Sequence, residues 1–169
     1  MSDSVKHKIA SFVLFNVLWL SAVAGREQYI WLTLALVVAQ VGYSLWVANI
    51  KLRLILQLLA VGLLLEAIAT GLGTIDFTGG LFPLWLALLW IGFAAMAPVA
   101  LDWLTEKPAI AALAGAISGP FSYWVGIGLG AGDSGSVLQL VVTYAIVWAL
   151  FMLFFCRAFK ARQNERLIL

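Results

Sequence analysis

The segment Leu54–Gly73 constrains the fold of this chain more than any other part of the sequence. Its twenty residues are apolar or small, apart from Gln57, Thr70 and one charged side chain, Glu66. A helix of about 20 such residues spans the ~30 Å hydrocarbon core of a bilayer. We therefore predict a transmembrane helix that carries a carboxylic acid near its middle.

Five further apolar segments share this character, and short polar turns separate them. Only 11% of the residues are charged and the mean hydropathy is +1.05, whereas roughly 25% charged residues is usual in a soluble domain. We predict an all-α fold: a polytopic membrane protein whose single domain, residues 1–169, is a compact bundle of six transmembrane helices. The predicted spans are 9–24, 29–49, 54–73, 81–101, 109–128 and 137–155.

The placement of the basic residues predicts the orientation of the bundle. Only Arg26 lies on one side of the membrane, whereas nine of the ten Lys and Arg residues lie on the other. Cytoplasmic loops carry the excess of Lys and Arg in membrane proteins, so we predict that both termini are cytoplasmic. The nine residues are Lys6, Lys8, Lys51, Arg53, Lys107, Arg157, Lys160, Arg162 and Arg166.

The first span also has the features of a secretory signal peptide. Lys6 and Lys8 precede the apolar run, and Ala22-Val23-Ala24 matches the A-x-A cleavage pattern. Cleavage would leave five spans and an external N-terminus. An even number of spans agrees with the charge asymmetry, and we therefore favour a retained helix.

Glu66 needs a physical explanation, because a charged side chain at the bilayer centre costs at least ~2.5 kcal/mol on insertion scales. Gly62, Glu66 and Thr70 share one helix face, which we predict to point into the bundle. No Lys or Arg lies within a predicted span, so a neutral acid held by hydrogen bonds is expected at rest. The candidate partners are Asn16, Gln40, Ser44, Ser122, Tyr123 and Thr143.

The fifth span combines close packing with a proline. Gly115 and Gly119 continue a ridge of small residues that begins at Ala111, and Pro120 predicts a kink beside Tyr123. Transporters bind substrates at kinked or broken helices in mid-membrane, although tight packing without a ligand is an equally good interpretation. The candidates for ligand binding or proton linkage are Glu66, Tyr123, Ser122, Gln40 and Asn16, and those for packing or kinking are Gly62, Gly115, Gly119 and Pro120.

Several function classes are disfavoured. With one histidine, His7, and one cysteine, Cys156, the chain lacks the ligands of multi-histidine metal and haem sites, so we predict no metal and no cofactor. Residues 130–135 match G-x-G-x-x-G, but no predicted strand precedes them and we reject a nucleotide site. The charged residues lie between the apolar segments and indicate the membrane topology. Nucleic acid is therefore not an expected partner. We assign no catalytic residue, and an enzyme remains the less favoured reading.

Two groups of residues resemble a known family. They are Pro83-Leu84-Trp85-Leu86 with Leu89-Trp90, and Gly119-Pro120-Phe121-Ser122-Tyr123 with Gly126 and Leu129-Gly130. The chain resembles a bacterial inner-membrane family of unknown function with short, six-span members. The resemblance implies a bacterial inner-membrane location, an acid in the third span that Glu66 matches, and a gene association with lipid modification and oxidative stress. Gly128 departs from the family pattern, which has a basic residue there.

Three functional hypotheses follow. The first is a small inner-membrane protein that binds or translocates a lipid or small apolar solute, with Glu66 and residues 118–123 lining the site. The second is a non-catalytic auxiliary or scaffold subunit of a membrane-lipid modification or stress-response system. The third is an intramembrane enzyme. Membrane lipids are the expected partners, and a second membrane protein or a second copy of this chain stays open as a further partner.

Overall fold

The computed structural model describes the backbone of residues 3–168 and the side chains of residues 3–162, and it is dominated by helices. The predicted all-α class is confirmed. Four helical stretches are long and apolar enough to cross a membrane, whereas α4 is apolar but only 17 residues long. The helices are α1 (Asp3–Gly25), α2 (Ile30–Gly42), α3 (Leu52–Gly71), α4 (Leu84–Ala100), α5 (Pro108–Gly128) and α6 (Val137–Ile168). This is the composition of a membrane protein.

The first of the four stretches, Asp3–Val47, folds back on itself. A 3₁₀ turn at Arg26–Tyr29 reverses the chain, and α1 packs against α2, which ends in a π-helical segment at Tyr43–Val47. Ser21 Oγ and Thr33 Oγ1 are hydrogen-bonded at 2.8 Å near the turn. The two helices are therefore held together by buried polar contacts as well as by apolar packing.

Side-chain contacts show which loops share an end of the bundle. At one end, Lys8 forms an ion pair with Asp102 at 2.7 Å, and Lys160 approaches Glu106 at 3.2 Å. The start of α1, the turn after α4 and the late part of α6 therefore lie together. The Arg166 side chain, which belongs to the basic residues predicted for this side, lies outside the described residues.

The opposite end is closed by loop contacts. The Arg26 guanidinium donates to the carbonyl of Leu129 at 2.9 Å. A short antiparallel ladder pairs β1 (Asp76–Phe77) with β2 (Gly132–Asp133), where the sequence predicted only loops. Two-residue strands are too short to show an alternating pattern. The ladder joins the α3–α4 loop to the α5–α6 loop.

One helix, α6, is longer than its predicted span, whereas α5 has nearly the predicted bounds. α6 continues to Ile168, well beyond the predicted end at 155, because the Lys, Arg, Gln and Glu residues that follow Cys156 are good helix formers. α5 runs without interruption from Pro108 to Gly128, although Pro120 lies inside it.

Glycines let large aromatic side chains lie against neighbouring helices. A Cβ at Gly62 would overlap the Trp90 ring, and one at Gly119 would overlap the Trp148 side chain. At Gly115 the added atom would be 2.8 Å from the Trp148 carbonyl oxygen. α5 and α6 form the most extensive helix pair in the bundle, and the small residues of α5 are the reason.

Gly119→Ala tests this arrangement. We expect a loss of about 1–3 kcal/mol in unfolding free energy, as for other overpacked sites, because Trp148 must shift to admit the methyl group. The measurement is reversible unfolding in detergent. Gly128→Ala is the matched control on the same helix, since nothing lies within 4 Å of its added Cβ. An equal effect of the two substitutions would contradict the proposed packing role.

Candidate functional site

Glu66 is fully buried and accepts hydrogen bonds from three aromatic side chains. Tyr144 donates its hydroxyl to Oε1 at 2.7 Å, and Trp90 donates its indole N–H to Oε2 at 3.1 Å. The Tyr123 hydroxyl donates to the same Oε2. The three donors come from α6, α4 and α5, so one carboxyl group on α3 connects four helices.

The contact between Glu66 and Tyr123 confirms one of the six candidate partners that the sequence predicted. Among the side chains of residues 3–162, no Lys, Arg or His forms an ion pair with Glu66. A carboxylate is satisfied by the three donors, and a neutral acid is satisfied when it donates to one tyrosine oxygen instead. The neutral resting state therefore stays a prediction.

Sequence reasoning missed Trp90 and Tyr144 as partners of Glu66. The rings of Tyr123 and Tyr144 stack with centroids 3.5 Å apart, which brings both hydroxyls to the acid. The sequence did contain a signal for these two partners. In membrane proteins, Trp and Tyr are enriched at the two membrane–water interfaces. Trp90 and Tyr144 lie inside apolar runs, where a polar ring atom needs a buried partner.

A cavity of about 290 Å³ lies between α1, α4, α5 and α6. Most of its wall is aliphatic or aromatic, with Trp90 and Trp148 stacked at 5.4 Å. Within the described part of the chain, none of the lining residues is charged. The lining residues that carry polar side-chain groups are Asn16, Trp19, Trp85, Trp90, Ser118, Ser122, Tyr123 and Trp148.

The cavity has a deep side and an exposed side. Trp85, Trp90 and Met96 on α4 form the deep side and are at most 3% exposed. Phe12 on α1 and Ser118 on α5 also line the cavity, yet both are exposed on the surface of the bundle. The cavity therefore opens sideways, between α1 and α5.

The structure places the predicted site residues in different parts of the bundle. Ser122 lines the cavity and accepts a hydrogen bond from Trp19 Nε1 at 3.1 Å, which links α5 to α1. Asn16 lines it too, although its amide donates to the Phe12 carbonyl on its own helix. Gln40 lies elsewhere, between α2 and α1, where it donates to Ser11 at 2.8 Å.

Glu66 itself does not line the cavity, in contrast to the expectation from the sequence. Trp90 and Tyr123 hold its carboxyl group and are themselves part of the wall. Glu66 is therefore connected to the cavity wall through these two residues. Across the described residues, no group of three or more His, Cys, Asp or Glu side chains is arranged to hold a metal ion.

Comparison with known proteins places the chain in a family. The family described as "Protein of unknown function (DUF2878)" matches residues 8–154. The chain belongs to this family, which agrees with the resemblance to a family of unknown function. Searches of curated proteins and of solved structures found no match. The family description names no activity.

Tyr144→Phe tests the energetic role of the buried acid. Removing the hydroxyl leaves Glu66 Oε1 without its donor in a nonpolar environment, and we expect a loss of about 1–3 kcal/mol in unfolding free energy. Tyr29→Phe is the control, because Tyr29 is 56% exposed. In a Glu66→Leu background the Tyr144→Phe effect should largely vanish, and an undiminished effect there would show that the hydroxyl acts independently of Glu66.

Proposed function

We propose that this protein binds a lipid acyl chain or another small apolar solute in the cavity between α1 and α5. The main support for this proposal is the composition of the cavity wall. The wall is almost entirely apolar and aromatic and contains no charged lining residue in the described chain. Ligand pockets of proteins are typically apolar with a few polar groups, and about 300 Å³ is the lower end of their usual size. The volume suits one chain or one small molecule.

The opening supports entry from the bilayer. Phe12 and Ser118 lie at the exposed side of the cavity, and the surface next to them carries exposed apolar side chains such as Val13 and Ile117. In a bilayer such a surface faces hydrocarbon. A ligand that is already dissolved in the membrane then reaches the cavity without passing through water.

Glu66 serves in this proposal as a positioning residue. Its carboxyl oxygens hold Tyr123 and Trp90, both of which line the cavity. A change in the protonation of Glu66 would change whether the Tyr123 hydroxyl donates to it or accepts from it, whereas the Trp90 N–H can only donate. This arrangement supports the proton linkage that the sequence suggested for Glu66 and Tyr123, while leaving the ligand in contact with uncharged groups.

We also propose six membrane spans, with both termini cytoplasmic and the bacterial inner membrane as the location. α4 has 17 apolar residues and packs against α1, α2 and α3, so it has the environment of a buried span. Lys8 and Lys160 share one end of the bundle, and Arg26 lies at the other. The positive-inside rule then makes the Lys8 end cytoplasmic.

Blocking the opening tests the binding proposal. Ser118→Trp should fill the cavity at its exposed side and reduce labelling by a diazirine-bearing fatty-acid methyl ester in nanodiscs by about tenfold, roughly 1.4 kcal/mol. Ile117→Trp is the matched control, because Ile117 is the preceding residue, is 64% exposed and does not line the cavity. Labelling is read by mass spectrometry of cavity peptides.

Equal labelling of the wild type and both variants, with no enrichment at the cavity peptides, would count against a binding function. It would favour the auxiliary-subunit alternative, which needs no ligand. Unfolding temperatures of the two variants are compared first, so that a folding defect is not read as lost binding.

Cysteine labelling tests the topology. Asp133→Cys and Glu106→Cys are introduced separately into a Cys156→Ala chain, because both positions are exposed at opposite ends of the bundle. We expect a membrane-impermeant maleimide to label position 133 in intact spheroplasts and position 106 only after lysis. The reverse pattern would invert the proposed orientation.

A further inference from the structure

Two polar side chains are exposed at the opening of the cavity, halfway through the bundle. Asn16 on α1 and Ser118 on α5 both line the cavity, and both are exposed. Ser118 is the central residue of α5, ten positions from either end. In the proposed membrane orientation this depth lies in hydrocarbon, where water does not supply hydrogen bonds. Polar groups at this depth therefore need another partner.

Contacts between α1 and α5 show that Asn16 and Ser118 lie at the same depth. The neighbouring pairs along the two helices and the turns that follow them are Trp19–Ser122, Val23–Gly126 and Arg26–Leu129. The members of each pair are 103 positions apart, so the two helices run parallel in a constant register. The same spacing places Asn16 level with Gly119, the residue after Ser118. The two polar side chains therefore belong to the same part of the opening.

The side chains of Asn16 and Ser118 have hydrogen-bonding atoms that no described residue uses. The Asn16 amide donates an N–H to the Phe12 carbonyl at 2.7 Å, and this bond fixes the orientation of the amide, because a flipped amide would place oxygen against oxygen. Its Oδ1 atom is therefore an acceptor, and no described residue donates to it. The Ser118 hydroxyl likewise has no hydrogen bond to the described chain.

The chemistry of these two groups restricts the polar part of a ligand. Asn16 Oδ1 can only accept, whereas the Ser118 hydroxyl can both donate and accept. An ether or ester oxygen would accept from Ser118 but leave Asn16 Oδ1 unpaired. A carboxylate would bring a charge to a wall whose described lining residues are all uncharged. A hydroxyl group pairs with both residues and carries no charge.

We propose that the cavity takes a neutral single-chain lipid with a free hydroxyl group. The hydroxyl donates to Asn16 Oδ1 and accepts from Ser118, while the chain lies against the apolar deep side of the cavity. Asn16 and Ser118 are not hydrogen-bonded to each other within the described structure, so the ligand hydroxyl bridges α1 and α5. This inference rests on the proposed binding function and specifies its ligand class.

Three competitors with equal numbers of non-hydrogen atoms test the inference: dodecyl alcohol, its isomer methyl undecyl ether, and tridecane. Each competes with the diazirine-bearing fatty-acid methyl ester for labelling of the wild-type protein in nanodiscs, at equal mole fractions. The ether has the same atoms as the alcohol but no donor. We expect the alcohol to compete about tenfold better than the ether, a difference of roughly 1.4 kcal/mol.

Asn16→Leu isolates the acceptor. The variant keeps a side chain of similar size without Oδ1, so the alcohol-to-ether ratio of competition should fall about tenfold. Comparing this ratio between proteins cancels the different positions of the two compounds in the bilayer. Val17→Leu is the matched control, because Val17 is the next residue, is 51% exposed and does not line the cavity. It should keep the wild-type ratio.

Ser118→Ala gives a different expected pattern. Its lost hydroxyl donates to the alcohol and to the ether alike, so both should lose competition relative to tridecane while the ratio between them stays as in the wild type. If Asn16→Leu does not fold, this variant decides: unchanged competition of both compounds relative to tridecane would overturn the inference.

The outcomes separate the two proposals. An alcohol-to-ether ratio that is the same in the wild type and Asn16→Leu, with cavity labelling intact, would overturn the role of the hydroxyl and leave the binding function standing. A chemically cross-linked dimer that is lost in Asn16→Leu, with that ratio unchanged, would assign Asn16 to contact with a second copy and also overturn the inference. Absence of cavity labelling in the wild type would instead overturn the binding function itself.

Discussion

The carboxyl group of Glu66 organises the interior of this bundle. In hydrocarbon it cannot obtain hydrogen bonds from water, so its partners must come from neighbouring helices. Trp90, Tyr123 and Tyr144 provide them from α4, α5 and α6. Any shift of one helix along another would break at least one of these bonds. The acid thereby fixes the relative depth of four helices, which apolar packing alone would leave less well defined.

Close packing makes these contacts possible. Gly62 brings Trp90 against α3, and Gly119 brings Trp148 against α5. The two tryptophan rings then stack with an interplanar angle of 16°. On this side of the bundle the helices are tightly joined, whereas α1 and α5 are separated by the cavity along much of their length. The same small residues that tighten the α5–α6 pair therefore shape one wall of the cavity.

The buried acid and the cavity are adjacent and share two residues. Glu66 lies behind Trp90 and Tyr123, and these two residues face both the acid and the cavity. In the proposed function, this arrangement would let a buried ionisable group influence a ligand without placing a charge beside it. Membership of a family without an assigned activity neither requires nor opposes this interpretation, which depends on the geometry alone.

The sequence by itself determined the class of the protein. Apolar segments, sparse charges and the lone acid of Leu54–Gly73 were sufficient for an all-helical membrane protein with Glu66 turned inward near Tyr123. Local patterns carry that information, because hydropathy and helical spacing extend over a few turns. Only the tertiary structure decided which other residues reach the acid, since Trp90 and Tyr144 lie 24 and 78 positions away from it along the chain. It also placed Glu66 behind the cavity wall, because the position of a side chain relative to the cavity depends on how separate helices pack.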